Sequence, residues 1–272
     1  MSSKIKLGVT LRNMGPQSTP QIMRSGVLHA EALGYESVWI TDHIAIPPDD
    51  AQGSGGRYTD PLTTLSWFAG LTQNIKLGSG VLILPYRPIL PTAKAIATLQ
   101  EVSDERLLLG VGIGWMDAEF NALGIPRRER GVRSDATLRF LQQCFEQDEV
   151  SLNGQKFLFK PRPQRPPILV GGRPPMALRR AAELGDGWLP MAKNPEQIAQ
   201  SAKDYRELTL SLGKPPGQIS VMTNLGSQLD QARTLLDRYA DLGVERVIAA
   251  VGYDTEADYR YQLDQLRALV DG

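Results

Sequence analysis

Cysteine, histidine and net charge are what this sequence has least of. Its 272 residues include one cysteine, Cys144, and two histidines, His29 and His43. No disulfide can form within the chain, and the shortage of thiols and imidazoles argues against a zinc cluster, so we expect no metal site. Lysine plus arginine equals aspartate plus glutamate at 30 each, a formal net charge of zero. This balance gives no electrostatic reason to bind nucleic acid or an anionic membrane, and we expect neither partner.

Long hydrophobic runs are also missing. No stretch reaches the roughly 18 consecutive apolar residues typical of a membrane span. The N-terminus, MSSKIKLGVT, enters a strand pattern without a signal-type apolar region. We therefore expect a soluble, cytoplasmic protein. With 42% hydrophobic residues, the chain can bury one large core, which predicts a single domain over residues 1–272.

Short apolar runs alternate with helical patterns along the chain. In the first unit, Thr19 is a predicted helix cap, Pro20 occupies the first helical position and Gly34 ends the helix. Eight strand patterns occur, and all but one are promptly followed by a helix. This order predicts an α/β fold, a (β/α)8 TIM barrel with an insertion between strands four and five. The predicted strands are Lys4–Thr10, Tyr35–Thr41, Ile75–Leu84, Arg106–Ile113, Ile168–Val170, Gly187–Pro190, Ile219–Asn224 and Arg246–Val251.

The insertion is predicted to contain a short helix and a charged loop over residues 117–133, then a helix over Ser134–Gln147. A hairpin follows at 150–160, turning at Asn153-Gly154. The other predicted helices are Pro20–Leu33, Asp60–Gln73, Pro91–Val102, Pro175–Leu184, Pro195–Leu212, Gln228–Leu242 and Thr255–Val270.

The C-terminal ends of the strands are where barrels of this kind carry their chemistry. Here they are rich in glycine and aromatic residues and poor in acids, which suits a flat, partly apolar ligand. His43 follows the second strand beside Asp42, and an adjacent acid can tune an imidazole that titrates near neutral pH. The alternative is a structural or surface histidine. Trp115, after the fourth strand, is either a wall for a planar ligand or a packing residue.

Three further segments are candidates for ligand binding. Gly171-Gly172-Arg173 precedes a helix and can present backbone N–H groups to an anion, or it is a glycine turn that serves packing. The long loop Ile44–Thr59 is of the length that often forms a lid or binding segment. The run Arg127–Arg133 is a solvated face, or it includes an arginine that reaches an anionic ligand.

Four segments together resemble the bacterial luciferase-like flavin and deazaflavin oxidoreductases, and most closely the branch that depends on F420. They lie in order within residues 37–190: SVWITDH, DPLTTLSWFAGLTQNIKLGSGVLILPYRPILPTAKAIATL, LLLGVGIGWMDAEFNALGIPRRERGVRSD and PPILVGGRPPMALRRAAELGDGWLP. The resemblance implies an oxidoreductase that acts on a small molecule with F420 or FMN as cofactor. Two mechanisms stay open: hydride transfer with F420, or monooxygenation with FMN that a separate reductase delivers reduced.

The resemblance also implies where the cofactor lies. In this family the third strand carries a non-proline cis peptide behind the isoalloxazine ring, here Gly80-Val81, and the Gly171-Gly172-Arg173 turn would hold the phosphate. The implied cofactor-binding residues are Gly80, Val81, Gly112, Gly171, Gly172 and Arg173.

The implied catalytic residues are His43, as proton donor or acceptor, with Asp42 and Trp115 beside it. Some deazaflavin-dependent sugar and alcohol dehydrogenases carry a glutamate after the GxG of the fourth strand. This chain has Trp115 instead, so their activity is not implied, and an aromatic wall favours an apolar or planar substrate.

The helices at Asp60–Gln73 and Pro91–Val102 carry more small and apolar residues than a solvated exterior requires, which, with the resemblance, predicts a homodimer. The alternative to an enzyme is a binding protein, a barrel that binds flavin or another small ligand without turnover.

Overall fold

The computed structural model describes residues 5–225 and 231–271. Eight parallel strands close into a barrel, because the first strand pairs with both the second and the last; Val9 lies opposite Val38 and opposite Ala249. The predicted (β/α)8 barrel is therefore confirmed. The strands are β1 Lys6–Thr10, β2 Ser37–Ile40, β3 Lys76–Ser79, β4 Leu107–Gly112, β5 Ile168–Gly171, β6 Gly187–Leu189, β7 Gln218–Thr223 and β8 Arg246–Ala249.

Helices cover the outside of the barrel. They are α1 Pro20–Ala32, α2 Pro61–Leu71, α3 Ile89–Val102, α4 Asp117–Ala122, α5 Arg130–Glu146, α6 Met176–Leu184, α7 Ala199–Ser211, α8 Ala232–Asp241 and α9 Glu256–Asp271. Two predicted boundaries, Lys4 and Gln228, lie outside the described residues. In the part of the chain that is described, no helix has the length and apolar character needed to cross a bilayer.

The insertion lies between β4 and β5, as predicted. It contains α4, α5 and an antiparallel hairpin of Glu149–Leu152 and Gln155–Leu158. The hairpin turns at Asn153 and Gly154, which have φ of 52° and 78°, the left-handed pair that a two-residue hairpin requires. The prediction of a charged loop before Ser134 is wrong in part, because α5 already begins at Arg130.

The third strand was predicted as one run, Ile75–Leu84, and the structure divides it. β3 ends at Ser79, a cis peptide joins Gly80 and Val81, and a two-residue strand, Leu82–Ile83, resumes pairing with β4. The chain then makes a 3-10 turn over Leu84–Tyr86. The following helix begins at Ile89 rather than Pro91 because the Pro88 carbonyl already accepts the Thr92 amide at 3.1 Å.

Large side chains fill the barrel interior, so the site has a closed floor. One cluster contains Trp39, Leu108, Leu169, Leu189, Met222 and Ile248, with Val81 packed against it. A Cβ at Gly78 would lie 2.2 Å from the Trp39 ring, and one at Gly110 would lie 2.0 Å from the Ser79 carbonyl oxygen. Several strand glycines therefore serve packing, and a ligand has to lie above Val81 and Met222.

Candidate active site

His43 lies at the C-terminal mouth of the barrel, where the sequence predicted it. Its ring centroid is 4.9 Å from that of Tyr58 and 6.0 Å from that of Trp115, which meets it edge-on. Tyr58 reaches this position because the long loop is paired to the segment after β1 through a bridge between Met14 and Tyr58. The loop predicted as a lid or binding segment thus contributes one wall of the histidine site.

Glu119, on α4, is the acid that contacts His43. Its side chain is fully buried. One carboxylate oxygen accepts the backbone N–H groups of Ile44 at 2.6 Å and Ala45 at 3.1 Å. The other accepts the Tyr86 hydroxyl at 2.7 Å and lies 3.1 Å from His43 Nδ1. The carboxylate is therefore satisfied on both oxygens and fixed in place.

These contacts set the protonation states around the histidine. Burial raises the pKa of Glu119, but the two backbone donors and the Tyr86 hydroxyl outweigh burial, so its pKa lies below the ordinary 4.5. Burial, together with that carboxylate, raises the pKa of Tyr86. An ionised carboxylate can only accept hydrogen bonds. The hydrogen bond between Glu119 and His43 therefore uses a proton on His43 Nδ1. His43 Nε2 is left to exchange a proton with a ligand in the mouth.

Replacing Glu119 with glutamine is expected to lower the free energy of unfolding at pH 7 by about 1–3 kcal/mol, because buried donors lose a charged acceptor. A carboxylate with a lowered folded pKa stabilises above its unfolded pKa, and that contribution is lost as the pH falls through the folded value. The difference between wild type and variant should shrink below about pH 4.5. Urea unfolding at several pH values measures it, and a difference independent of pH would contradict the assignment.

Asp42 does not contact the imidazole, in contrast to the expectation that the neighbouring acid would tune it. Its carboxylate is fully buried and bound by Arg87 in a bidentate pair of 2.5 and 2.9 Å. It also accepts the Ile83 amide at 2.8 Å. Burial raises the pKa of Asp42, and the Arg87 guanidinium opposes that shift. Asp42 therefore ties the end of β2 to the segment after the cis peptide, and adjacency in sequence does not bring it to His43.

The predicted cis peptide between Gly80 and Val81 is present. The Val81 side chain lies between two of the predicted cofactor glycines: a Cβ at Gly112 would be 2.5 Å from Val81 Cγ2, and one at Gly171 would be 2.9 Å from Val81 Cγ1. Glycine is thus required at positions 112 and 171 by packing, whichever ligand lies above.

The Gly172-Arg173 turn leads from β5 into α6. Gly172 has a φ of 124°, a conformation that favours glycine, and its carbonyl accepts the Trp188 indole N–H at 3.2 Å. An Arg180–Asp135 ion pair of 2.5 Å joins α5 and α6 near their N-terminal ends. At the start of α5, Arg130 Nη1 is buried without a hydrogen-bond partner among the described residues. An orphaned guanidinium nitrogen beside a helix N-terminus can bind an oxyanion.

Apolar side chains form the rim of the mouth. Four large ones that follow four different strands stay exposed: Ile44 (49%), Trp115 (64%), Met176 (60%), which begins α6, and Met191 (80%). Exposed apolar groups gathered around a concave site are typical of ligand binding. Trp115 is therefore not a buried packing residue, and its role as a wall for a planar ligand stays a prediction.

Glu119 and Tyr86 were not predicted from the sequence, whereas Tyr58 and Arg130 were covered only as members of the segments Ile44–Thr59 and Arg127–Arg133. A signal for Glu119 was present. Met116, Phe120 and Leu123 recur at helical spacing, and Glu119 falls on that same apolar face. A carboxylate among core positions marks a buried acid with a partner to find. For Tyr86 and Tyr58 the sequence offers no comparable signal, because both belong to irregular segments.

The eight parallel strands, closed into a barrel and covered by helices, define a TIM barrel. The family model described as luciferase-like monooxygenase matches residues 6–269. The chain therefore belongs to the luciferase-like monooxygenase family and is an oxidoreductase, as the sequence predicted.

The relatives of this chain agree with this membership. The chain is 30% identical over 248 residues to an uncharacterised protein of Mycobacterium tuberculosis, covering 84% of this chain and 86% of the relative. It is 30% identical over 196 residues to the F420-dependent glucose-6-phosphate dehydrogenase of Kineococcus radiotolerans, covering 68% of this chain and 56% of that protein.

Two solved structures share the fold. Monooxygenase RslO1 from Streptomyces bottropensis has a TM-score of 0.81 at 20% identity, covering 97% of this chain and 98% of that one. The oxygenating constituent of 3,6-diketocamphane monooxygenase from Pseudomonas putida, in complex with FMN, has a TM-score of 0.74 at 14% identity, covering 97% and 96%.

Proposed function

We propose that this protein binds F420 or FMN in the barrel mouth and oxidises or reduces a small, largely apolar organic substrate there. The observation that carries the proposal is His43, whose Nδ1 is held by the buried Glu119 so that Nε2 is left for a ligand. In a luciferase-like barrel, this is the arrangement of a general acid or base.

The residues present suit the proposed cofactor. A planar ring can lie above Val81, against the apolar rim. Its phosphate group can bind the Arg130 guanidinium, whose Nη1 has no partner among the described residues, and the N–H groups at the start of α6. Arg173 lies shortly before the start of that helix. A phosphate is the anion that such a combination of guanidinium and helix N-terminus binds best.

When bound, the cofactor supplies the hydride or activates oxygen. The chain's own residues orient the substrate, exclude water and move a proton. His43 Nε2 gives or takes that proton, Glu119 keeps the imidazole in one tautomer, and Trp115 with Tyr58 covers its ring.

The choice between the two cofactors is open to direct titration. Support for F420 comes from the name of the Kineococcus relative, and support for FMN from the Pseudomonas complex. The purified protein is titrated with each, following absorbance and ring fluorescence. Tight F420 binding would direct the work to hydride transfer. FMN preference would make oxygen the co-substrate and a separate reductase the partner. Binding of neither would contradict the proposal and favour a barrel for another ligand.

Replacing Arg130 with glutamine is expected to weaken cofactor binding about tenfold or more, because a hydrogen bond between charged groups is lost. Arg128 is exposed in the same charged run, so Arg128→Gln is the matched control with the same change in charge and should bind as wild type does. Equal weakening in both variants would mean that only the general charge matters, which contradicts a phosphate contact at Arg130.

We further propose a homodimer formed through α2. That helix has no charged residue, and a groove of about 430 Å³ between it and α1 is lined by Leu28 and Trp67. Light scattering at micromolar concentration should give twice the chain mass of 29.9 kDa. A monomer would exclude the assembly without affecting the barrel site.

A further inference from the structure

A second cleft, of about 600 Å³, lies beside the mouth between the ends of β1 and β8 and the first turns of α9. This volume is within the range of small-molecule sites, about 300–1,000 Å³. The cleft combines one cation with two aromatic rings and two acids. The lining residues used below are Arg12, Tyr253, Asp254, Asp258 and Tyr261.

Arg12 is held rigidly at the cleft by one neighbour. Its backbone N–H donates to the Tyr253 hydroxyl at 2.9 Å, its Nη1 donates to the Tyr253 carbonyl at 3.0 Å, and its guanidinium lies over the ring at 5.9 Å. Burial raises the pKa of Tyr253 to about 12, so this phenol is neutral and offers no counter-charge. Within residues 5–225 and 231–271, Arg12 forms no ion pair. The cleft thus contains an oriented cation with spare N–H donors.

The two acids of the cleft have partners of their own. Asp258 accepts the Thr255 amide at 3.0 Å and donates its own N–H to the Thr255 hydroxyl at 3.1 Å, which caps α9. Asp254 lies 3.5 Å from the Gln17 side-chain amide nitrogen. Neither acid neutralises Arg12, although each lowers the affinity of the cleft for an anion through its charge.

The cleft adjoins the His43 site through Tyr58. Arg12 lies two residues before Met14, which pairs with Tyr58 in an isolated bridge, and the Tyr58 ring packs on His43 at 4.9 Å. A ligand anchored at Arg12 therefore lies next to the aromatic wall that covers the proposed proton-transfer residue.

We propose that this cleft binds the anionic end of the substrate, a carboxylate attached to an apolar or aromatic body, and that Arg12 is the anchoring residue. The inference rests on the proposed function, because it assigns Arg12 to the substrate and Arg130 to the cofactor. Arginine suits the task since its planar N–H pair matches the two oxygens of a carboxylate. The exposed Tyr261 ring at the rim offers a stacking surface for the body of the ligand.

The experiment is calorimetric titration with benzoate and with benzamide, which has the same shape without the charge. Wild type should bind benzoate about tenfold or more tightly than benzamide. Arg12→Gln should abolish that preference and leave benzamide binding unchanged. Asp254→Asn should strengthen benzoate binding about twofold, because a like charge leaves the cleft. Arg130→Gln should leave the benzoate preference intact, which separates this anion site from the proposed phosphate site.

Equal binding of the two probes by wild type would overturn the inference, as would a benzoate preference that persists in Arg12→Gln or disappears in Arg130→Gln. FMN and F420 are titrated into the same variants. Loss of cofactor binding in Arg12→Gln would also overturn the inference, by assigning Arg12 to the cofactor, and would leave the proposed function standing. If wild type binds neither cofactor but still prefers benzoate in an Arg12-dependent way, that result would overturn the proposed function and leave the anion site standing.

Discussion

Replacing His43 with glutamine is expected to slow the reoxidation of bound, reduced cofactor by a substrate roughly 10²–10⁴-fold, the usual contribution of a general acid or base. Glutamine keeps a polar side chain of similar reach but cannot exchange a proton near neutral pH. Cofactor affinity should stay within about twofold, because the proposed phosphate contacts lie at Arg130 and the start of α6. Stopped-flow absorbance measures the rate, and cofactor titration measures the affinity.

The Glu119→Gln variant separates proton transfer from orientation of the ring. His43 is still present in it, so the loss should be smaller, about tenfold, and the pH profile of the rate should change because Nδ1 no longer faces a carboxylate. A His43→Gln rate within threefold of wild type would remove the imidazole from the mechanism. If the pH profile of the rate is the same in Glu119→Gln as in wild type, Glu119 has a structural role only.

The barrel was predictable from the sequence because strands and helices alternate with distinct periods, and an alternation repeated eight times has few other folds. The positions of His43 and Trp115 at the mouth followed from the barrel itself, because both residues come after the C-terminal ends of strands. Their partners did not follow. Glu119 is 76 positions away from His43, and only the packing of α4 against the mouth brings the two together.

For the glycines predicted to bind the cofactor, the sequence shows the positions but not the reason why glycine is needed there. Gly112 and Gly171 were predicted to bind the cofactor, and that role stays a prediction, because the Val81 side chain already occupies the space that a Cβ would need at both positions. A glycine appears the same in a sequence whether a ligand or a neighbouring side chain occupies the space where its Cβ would lie. Asp42 was misread for a related reason. Its neighbour in sequence is His43, but its carboxylate is bound by Arg87, which is 45 positions away along the chain.

Replacing Arg87 with methionine is expected to lower the free energy of unfolding by about 3–5 kcal/mol, because it leaves the fully buried Asp42 carboxylate without its counter-ion. Methionine keeps the unbranched apolar stem of the side chain, so lost charge rather than lost packing of the stem dominates. The matched control is Arg133→Met, which removes an exposed pair with Glu129 and should cost less than about 1 kcal/mol. Urea unfolding at pH 7 gives both values.

The double variant Arg87→Met/Asp42→Asn tests the reason for that loss. If the cost comes from an isolated buried charge, removing the charge should restore part of the stability, and lowering the pH should do the same to the single variant by protonating Asp42. The Ile83 amide still finds an acceptor in the asparagine oxygen, so the segment after the cis peptide keeps its position. A double variant less stable than Arg87→Met would show that the carboxylate hydrogen bond to Ile83, not the ion pair, holds β2 to the floor of the site.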